Sequence, residues 1–310
     1  MTGFIRTIGG DLPADLAGPT YVHEHLIIDS PLVAETMSHI HLPSVDEAVA
    51  EVKTCIAAGV RMMVDAMPAG SGRDPERLSR VSVLTGMRVV AATGLHTAKY
   101  YDDVDWAREE GPEQLAVRFV ADIVEGIDKN DYLGPSIERT PVTAGVVKVA
   151  ALGEKLTLSE ARLFEAAAMT TARTGVPVLT HTEGGRGGPP QIETLLGLGL
   201  APEEIALSHT DKIDDRAYHQ DMLATGVFLS YDQALRDPET TFGLIENMTE
   251  SGYSGQLLLG TDGARRSLWS TLGGSPGLAS LYRSVSDLLG QDLSAALFEA
   301  NPRRYLTLSR

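Results

Sequence analysis

The sequence predicts an α/β fold: a (β/α)8 TIM barrel formed by a single domain, 1–310, with a short β hairpin at its N-terminus. Three observations predict it. Eight short apolar runs alternate with helix-like stretches. The 310 residues suit one α/β barrel. The polar residues that interrupt the apolar runs fall toward the C-terminal ends of those runs, where barrel strands converge on one mouth.

The elements follow in order. "GFIRTIGG" near the N-terminus reads as a hairpin covering the barrel bottom. The strands are read at 20–28, 60–67, 87–96, 143–151, 176–183, 204–211, 226–233 and 255–263. They are nearly all apolar, as expected for strands buried on both faces of a parallel sheet. The first helix opens at Ser44 as N-cap, carries Glu47 three residues on, and closes at Gly59. Later helical stretches end at Gly86, Gly175 and Gly226 just before the next strand. An open doubly wound sheet is the competitor, but no Gly-x-Gly-x-x-Gly follows the first run. "GGRGG" at 184–188 lacks the Lys-Ser/Thr ending of a phosphate loop.

Composition narrows the function classes. Lys and Arg number 26 against 42 acidic residues, a net charge of -16. A nucleic-acid binder needs the opposite balance to displace counterions. The one cysteine, Cys55, allows no intrachain disulfide, which suits a reducing cytoplasm, the expected location. The N-terminus does not read as a signal peptide, and no apolar run is long enough to suggest a membrane span.

The chemistry lies in the interruptions. His23 and His25 sit in strand one, Lys148 in strand four, and His181 and His209 at the ends of strands five and six. Asp262 ends strand eight. Imidazole and carboxylate are ligands for zinc-like divalent ions. Four histidines and an aspartate exceed the needs of one tetrahedral ion, which points to two. An ammonium cannot ligate. A neutral lysine amine in a dry, cationic site can instead capture CO2, giving a carbamate able to bridge two ions. As an ordinary lysine, Lys148 would be a costly charge inside a buried strand.

The set resembles the phosphotriesterase-like family of the amidohydrolase superfamily. "GPTYVHEHL", "VVKVA", "PVLTHTE", "ALSHTD" and "GTDG" carry the resemblance, which runs from Gly9 to the "NPRRYL" segment. It implies that His23, His25 and Asp262 hold the more buried metal, and that His181 and His209 hold the more exposed one. Carboxylated Lys148 and a hydroxide would bridge the two ions. Asp262 would accept the proton and hand it to the leaving group. Zinc is the expected metal, with Mn, Co or Fe also compatible with mixed imidazole and carboxylate ligands. The family also implies a homodimer and a small-molecule substrate.

Most members of the family look like lactonases, with phosphotriesterases and carboxylesterases or amidases as alternatives. A tyrosine after strand three contacts the lactone in such enzymes, and Tyr100 and Tyr101 both follow strand three here. Arg265 and Arg266 follow Asp262 closely, and Arg186 lies in the loop after strand five. Guanidiniums beside a cationic centre call for an anion, such as a phosphate on a sugar lactone. Pairing with acidic groups such as Asp102 or Asp103 is the plainer alternative. A mononuclear deaminase of the superfamily would not need Lys148.

Several residues have bland readings. Glu24 alternates outward into the helix layer, where it anchors a polar contact. Asp29 and Asp65 either orient a ligand histidine or serve local structure. His39 and His41 form a second His-x-His in a loop that suits lining the mouth better than holding an ion. His96 and His219 are isolated histidines, and His219 reads as a surface residue of a helix.

Overall fold

The computed structural model describes residues 3–101 and 105–309. The hairpin forms from β1 (Phe4–Thr7) and β2 (Gly10–Pro13). Eight parallel strands follow: β3 (Thr20–Glu24), β4 (Met62–Asp65), β5 (Arg88–Gly94), β6 (Ala144–Ala151), β7 (Val178–Thr182), β8 (Ile205–Ser208), β9 (Phe228–Tyr231) and β10 (Leu257–Leu259). Each pairs with the next in chain order. The backbone N–H of Asp262, just past β10, donates to the carbonyl of His23 in β3 at 3.0 Å and draws the sheet toward closure. Gly260 sits at the same seam, where a Cβ would lie 2.6 Å from the His23 carbonyl oxygen.

The helices are α1 (Pro31–Thr36), α2 (Val45–Ala58), α3 (Pro75–Thr85), α4 (Asp105–Glu109), α5 (Pro112–Val124), α6 (Leu158–Thr174), α7 (Gly188–Gly197), α8 (Arg216–Leu223), α9 (Pro238–Glu250), α10 (Ser280–Leu289), α11 (Gln291–Ala295) and α12 (Asn301–Leu306). Ser44 caps α2 as expected, its hydroxyl accepting from the Glu47 N–H at 3.2 Å. The Glu47 carboxylate takes a different partner, Arg266. Gly86 and Gly175 close α3 and α6 in the left-handed conformation.

The apolar core has two layers. Val22, Val64, Val90, Val146, Leu179, Phe228 and Leu258 pack inside the barrel. Tyr21, Met63, Val89, Val147 and Leu207 belong to the larger cluster between strands and helices. The hairpin lies under the N-terminal ends of the strands: Ile8 donates its N–H to the Val89 carbonyl, and Gly145 leaves room for the Arg6 carbonyl. Phe4 also bridges antiparallel to Leu308 near the chain's end.

One irregularity matters for the site. The register between β3 and β4 shifts between Tyr21, opposite Met63, and Glu24, opposite Asp65. The two residues between Tyr21 and Glu24 face a single residue, Val64, which is a β-bulge. Val22 packs in the interior layer, so strict alternation from it would turn His23 outward. The bulge changes the phase and delivers His23 and His25 to the mouth. No helix among the described residues is long and apolar enough to cross a membrane.

Candidate active site

The six ligand candidates meet at the C-terminal ends of the strands. The His23 ring lies 5.3 Å from the His25 ring and 4.9 Å from the His209 ring, and the His181 and His209 rings are 4.6 Å apart. Lys148 Nζ stands 3.5 Å from His23 Nε2. His25 Nε2 is 3.5 Å from Asp262 Oδ1. Ligand atoms of His23, His25 and Asp262 lie close enough together to share one ion. His209 and Asp262 have positive φ, 66° and 43°, values that non-glycine residues seldom adopt and that aim both side chains off their strand ends.

Burial sets the protonation states. It lowers the pKa of His23, drives His25 and His209 well below the usual range, and pushes His181 down to about 4. All four imidazoles are therefore neutral near pH 7, the form that ligates a metal. Burial also pushes the Lys148 amine down to about 7, so a substantial fraction is neutral at that pH. Gly94 lets the backbone of β5 approach that of β6 closely at this point, because at φ 100° a Cβ there would lie 1.9 Å from the Lys148 carbonyl oxygen. Ser208 Oγ accepts from Lys148 Nζ at 3.0 Å and fixes the end of the lysine.

The donor set fits divalent cations. His181 Nε2 lies 3.1 Å from Glu183 Oε2, while its Nδ1 is buried without a hydrogen-bond partner among the described residues, a cost that a ligand would relieve. Asp232 lies between His23 and His209, with Oδ2 2.9 Å from His23 Nδ1 and Oδ1 2.7 Å from His209 Nδ1. A carboxylate there accepts both Nδ1 protons and leaves both Nε2 lone pairs for a metal. Burial alone would raise Asp232, but His209 and His23 hold it well below the ordinary carboxylate range. Asp232 and Ser208 are the functional residues that sequence reasoning missed. Asp232 ends "FLSYD" as Asp262 ends "LLLGTD", so the same strand-end signal was present.

Glu24 faces away from the ligands and accepts from both the N–H and the hydroxyl of Thr261, with its pKa raised by burial to about 8. Asp65 accepts from the N–H groups of Leu26 and Met67 and so serves the turn after β3. Asp29 pairs with His41 at 2.8 Å and with Arg77 at 2.6 Å, a local ion-pair cluster. His39 is exposed. His219 is buried, not at the surface: its ring contacts the Ile213 carbonyl and the Tyr231 hydroxyl.

Substrate-side residues separate into two groups. Tyr100 is half-buried, packed edge-on 4.2 Å from the His96 ring, which in turn lies 4.8 Å from His181. Arg265 is exposed, with no carboxylate within ion-pair distance among the described residues. Tyr101 differs from expectation. It is buried, and its hydroxyl donates to the Ala69 carbonyl and accepts from the His96 N–H, so it pins a loop. Arg266 pairs with Glu47 at 3.2 Å and also donates to the His41 carbonyl, which occupies its guanidinium. Arg186 is exposed, 3.9 Å from Glu154, and lines a separate cavity with Pro189 and Tyr218. The suggested partners Asp102 and Asp103 lie outside the described residues.

Known proteins resemble this chain in sequence and fold. The phosphotriesterase family pattern matches residues 4–305. A phospho-furanose lactonase of Mycoplasmopsis synoviae (strain 53) is 31% identical over 323 aligned positions, covering 98% of this chain and 91% of the relative. An aryldialkylphosphatase of Saccharolobus solfataricus is 27% identical, covering 94% of this chain and 95% of the relative. The crystal structure of an amidohydrolase from Mycoplasma synoviae superposes with a TM-score of 0.95 at 28% identity, covering 100% of this chain and 93% of that one. With a match over nearly its whole length and the ligand set assembled at the barrel mouth, this chain belongs to the phosphotriesterase family of metal-dependent hydrolases.

Proposed function

We propose that the chain hydrolyses a lactone, of the class of sugar lactones bearing a phosphate or another anionic group, at a binuclear metal centre. The observation that carries this reading is the convergence of four neutral imidazoles, Asp262 and a buried Lys148 of depressed pKa at one mouth. His23, His25 and Asp262 would hold one divalent ion, zinc by preference, and His181 and His209 the other, with Lys148 as its carbamate between them. When bound, such ions supply Lewis acidity and bring the pKa of water toward neutrality.

The residues of the chain do the rest. Asp232 keeps His23 and His209 in the ligating tautomer. Asp262 takes the proton released as the water oxygen bonds to the acyl carbon. It passes that proton to the ring oxygen as the C–O bond breaks, so that one water is added across the ester. Tyr100 flanks the substrate beside His96, and Arg265, which has no ion-pair partner among the described residues, offers a cation to the anionic group. Relatives named phospho-furanose lactonase, at 31% identity, support this substrate class.

Organophosphate triesters are the second reading, supported by the aryldialkylphosphatase relative. A panel of phosphorylated lactones, unphosphorylated lactones, carboxylic esters and paraoxon tests both. Phosphorylated lactones should have the highest kcat/KM, and Arg265→Ala should lower that value about 10-fold while sparing neutral lactones. A preference for neutral acyl lactones that Arg265→Ala leaves unchanged sinks the anionic substrate, and a preference for paraoxon sinks the lactone.

A further inference from the structure

We propose that Arg236, in the loop after β9, is a positioning residue that fixes Asp262 for proton transfer. The inference rests on the hydrolase reading above and assigns a duty to a residue which that reading leaves idle. One guanidinium makes four contacts around the end of β10. Nη1 donates to the Asp232 carbonyl at 3.2 Å and the Thr261 carbonyl at 3.1 Å. Nη2 donates to the Asp262 carbonyl at 2.6 Å and lies 3.3 Å from Asp262 Oδ2.

The two oxygens of Asp262 thus have different surroundings. Oδ1 faces His25 Nε2 in the ligand cluster, whereas Oδ2 lies nearest Arg236, at 3.3 Å, with His209 Nδ1 farther off at 4.0 Å. A carboxylate attached by one oxygen could still rotate about its Cβ–Cγ bond. A guanidinium on the other oxygen removes that freedom, and a near-attack geometry depends on it. The backbone needs the same support, because Asp262 sits at φ 43°, an unfavourable conformation for a residue with a side chain. Glu24 grips Thr261 on one side of it, and Arg236 holds the carbonyls of Thr261 and Asp262. Arg236 is four-fifths buried, so its contacts are shielded from solvent and weakly screened. Lysine could not reproduce them, since a single ammonium cannot span three carbonyls and a carboxylate in one plane.

The proton itself travels as in the proposed reaction: from the attacking water to Asp262, then to the departing oxygen. Mispositioning Asp262 should therefore hurt most where the leaving oxygen needs that proton. An alkoxide from a lactone needs it; a 4-nitrophenolate departs without one.

The test is Arg236→Met in the metal-loaded enzyme, assayed with a lactone and with a 4-nitrophenyl ester, alongside metal analysis and thermal melting. We expect kcat on the lactone to fall roughly 10- to 100-fold, with the loss on the aryl ester about ten times smaller. Metal per chain should match the parent, and Arg236→Lys should recover only part of the lactone rate. Equal losses on both substrates, or loss of metal, would reduce Arg236 to a structural residue and overturn the proposal. A raised KM for phosphorylated lactones at unchanged kcat would make it an anion contact and overturn it too. If the parent enzyme opens no lactone, the lactonase reading fails alone. The same leaving-group contrast, read between aryl and alkyl phosphotriesters, then decides the role of Arg236.

Discussion

At the scale of single residues, the site depends on groups held in one protonation state by their surroundings. Asp232 is the clearest case, because one carboxylate sets the tautomer of two histidines on different strands. Asp232→Asn should weaken metal binding about 10- to 100-fold, read by chelator competition, with the fold intact by circular dichroism. Unchanged affinity would show that the histidines need no orienting carboxylate. Asp262→Asn should lower kcat by about two to four orders of magnitude and leave most of the metal in place. Lys148 gives a pH dependence. Its amine titrates at about 7 in the metal-free fold and at about 10.4 in the unfolded chain. Between those values the unfolded chain carries the extra proton, so stability of the metal-free protein should rise with pH across that window. Below about 7 the burial cost is fully present. Urea melts at a series of pH values should show this rise, and Lys148→Met should flatten it.

At the scale of elements, the sequence was most legible where the strand period and the strand end coincide. Each of the eight runs read from the sequence contains an observed strand, because short, mostly apolar runs alternating with helical stretches suit a parallel sheet buried on both faces. The six ligand candidates stood out as polar interruptions of those runs. The bulge at Val22–His23 was not legible, since it arises from pairing with β4 and leaves no mark in the local sequence. Alternation counted along His23, Glu24 and His25 still placed Glu24 away from the ligands, because the bulge lies before Glu24. Side-chain partners were the least legible. Arg266 reads as an anion contact until α2 brings Glu47 beside it, and Tyr101 reads as a candidate lactone contact until Ala69 and the His96 N–H claim its hydroxyl. His219 looked like a surface residue because one turn of helix does not reveal what packs on it. The loop after β4 carries a further prediction. Arg73 is buried against Asp131 and Asp122 and donates to the Ala92 carbonyl, which ties that loop to β5 and α5. Arg73→Met should destabilise the fold by about 3–5 kcal/mol, because it strands buried carboxylates. A loss under about 1 kcal/mol in denaturant melts would mean the carboxylates find water or other donors.

At the scale of the whole molecule, the barrel divides its labour along one axis. The hairpin and the Phe4–Leu308 bridge are remote from the chemistry, beneath the N-terminal ends of the strands. The opposite end collects buried polar groups that a core without ions would bear at a cost: four neutral imidazoles, a lysine and Asp232, with Asp262 partly buried beside them. Bound ions would turn that cost into stability, because binding to the folded state alone shifts the folding equilibrium. Removal of metal by a chelator should therefore lower Tm, and bicarbonate should be needed for full recovery of metal if Lys148 works as a carbamate. In the proposed centre, two ions would share a carboxylated Lys148. Elemental analysis of the purified protein and of Lys148→Ala, with 13C-bicarbonate incorporation followed by NMR, tests it most directly. The parent should carry two divalent ions per chain and show a carbamate resonance, with both reduced in Lys148→Ala. One ion per chain with no carbamate signal, or full metal content in Lys148→Ala, would contradict it.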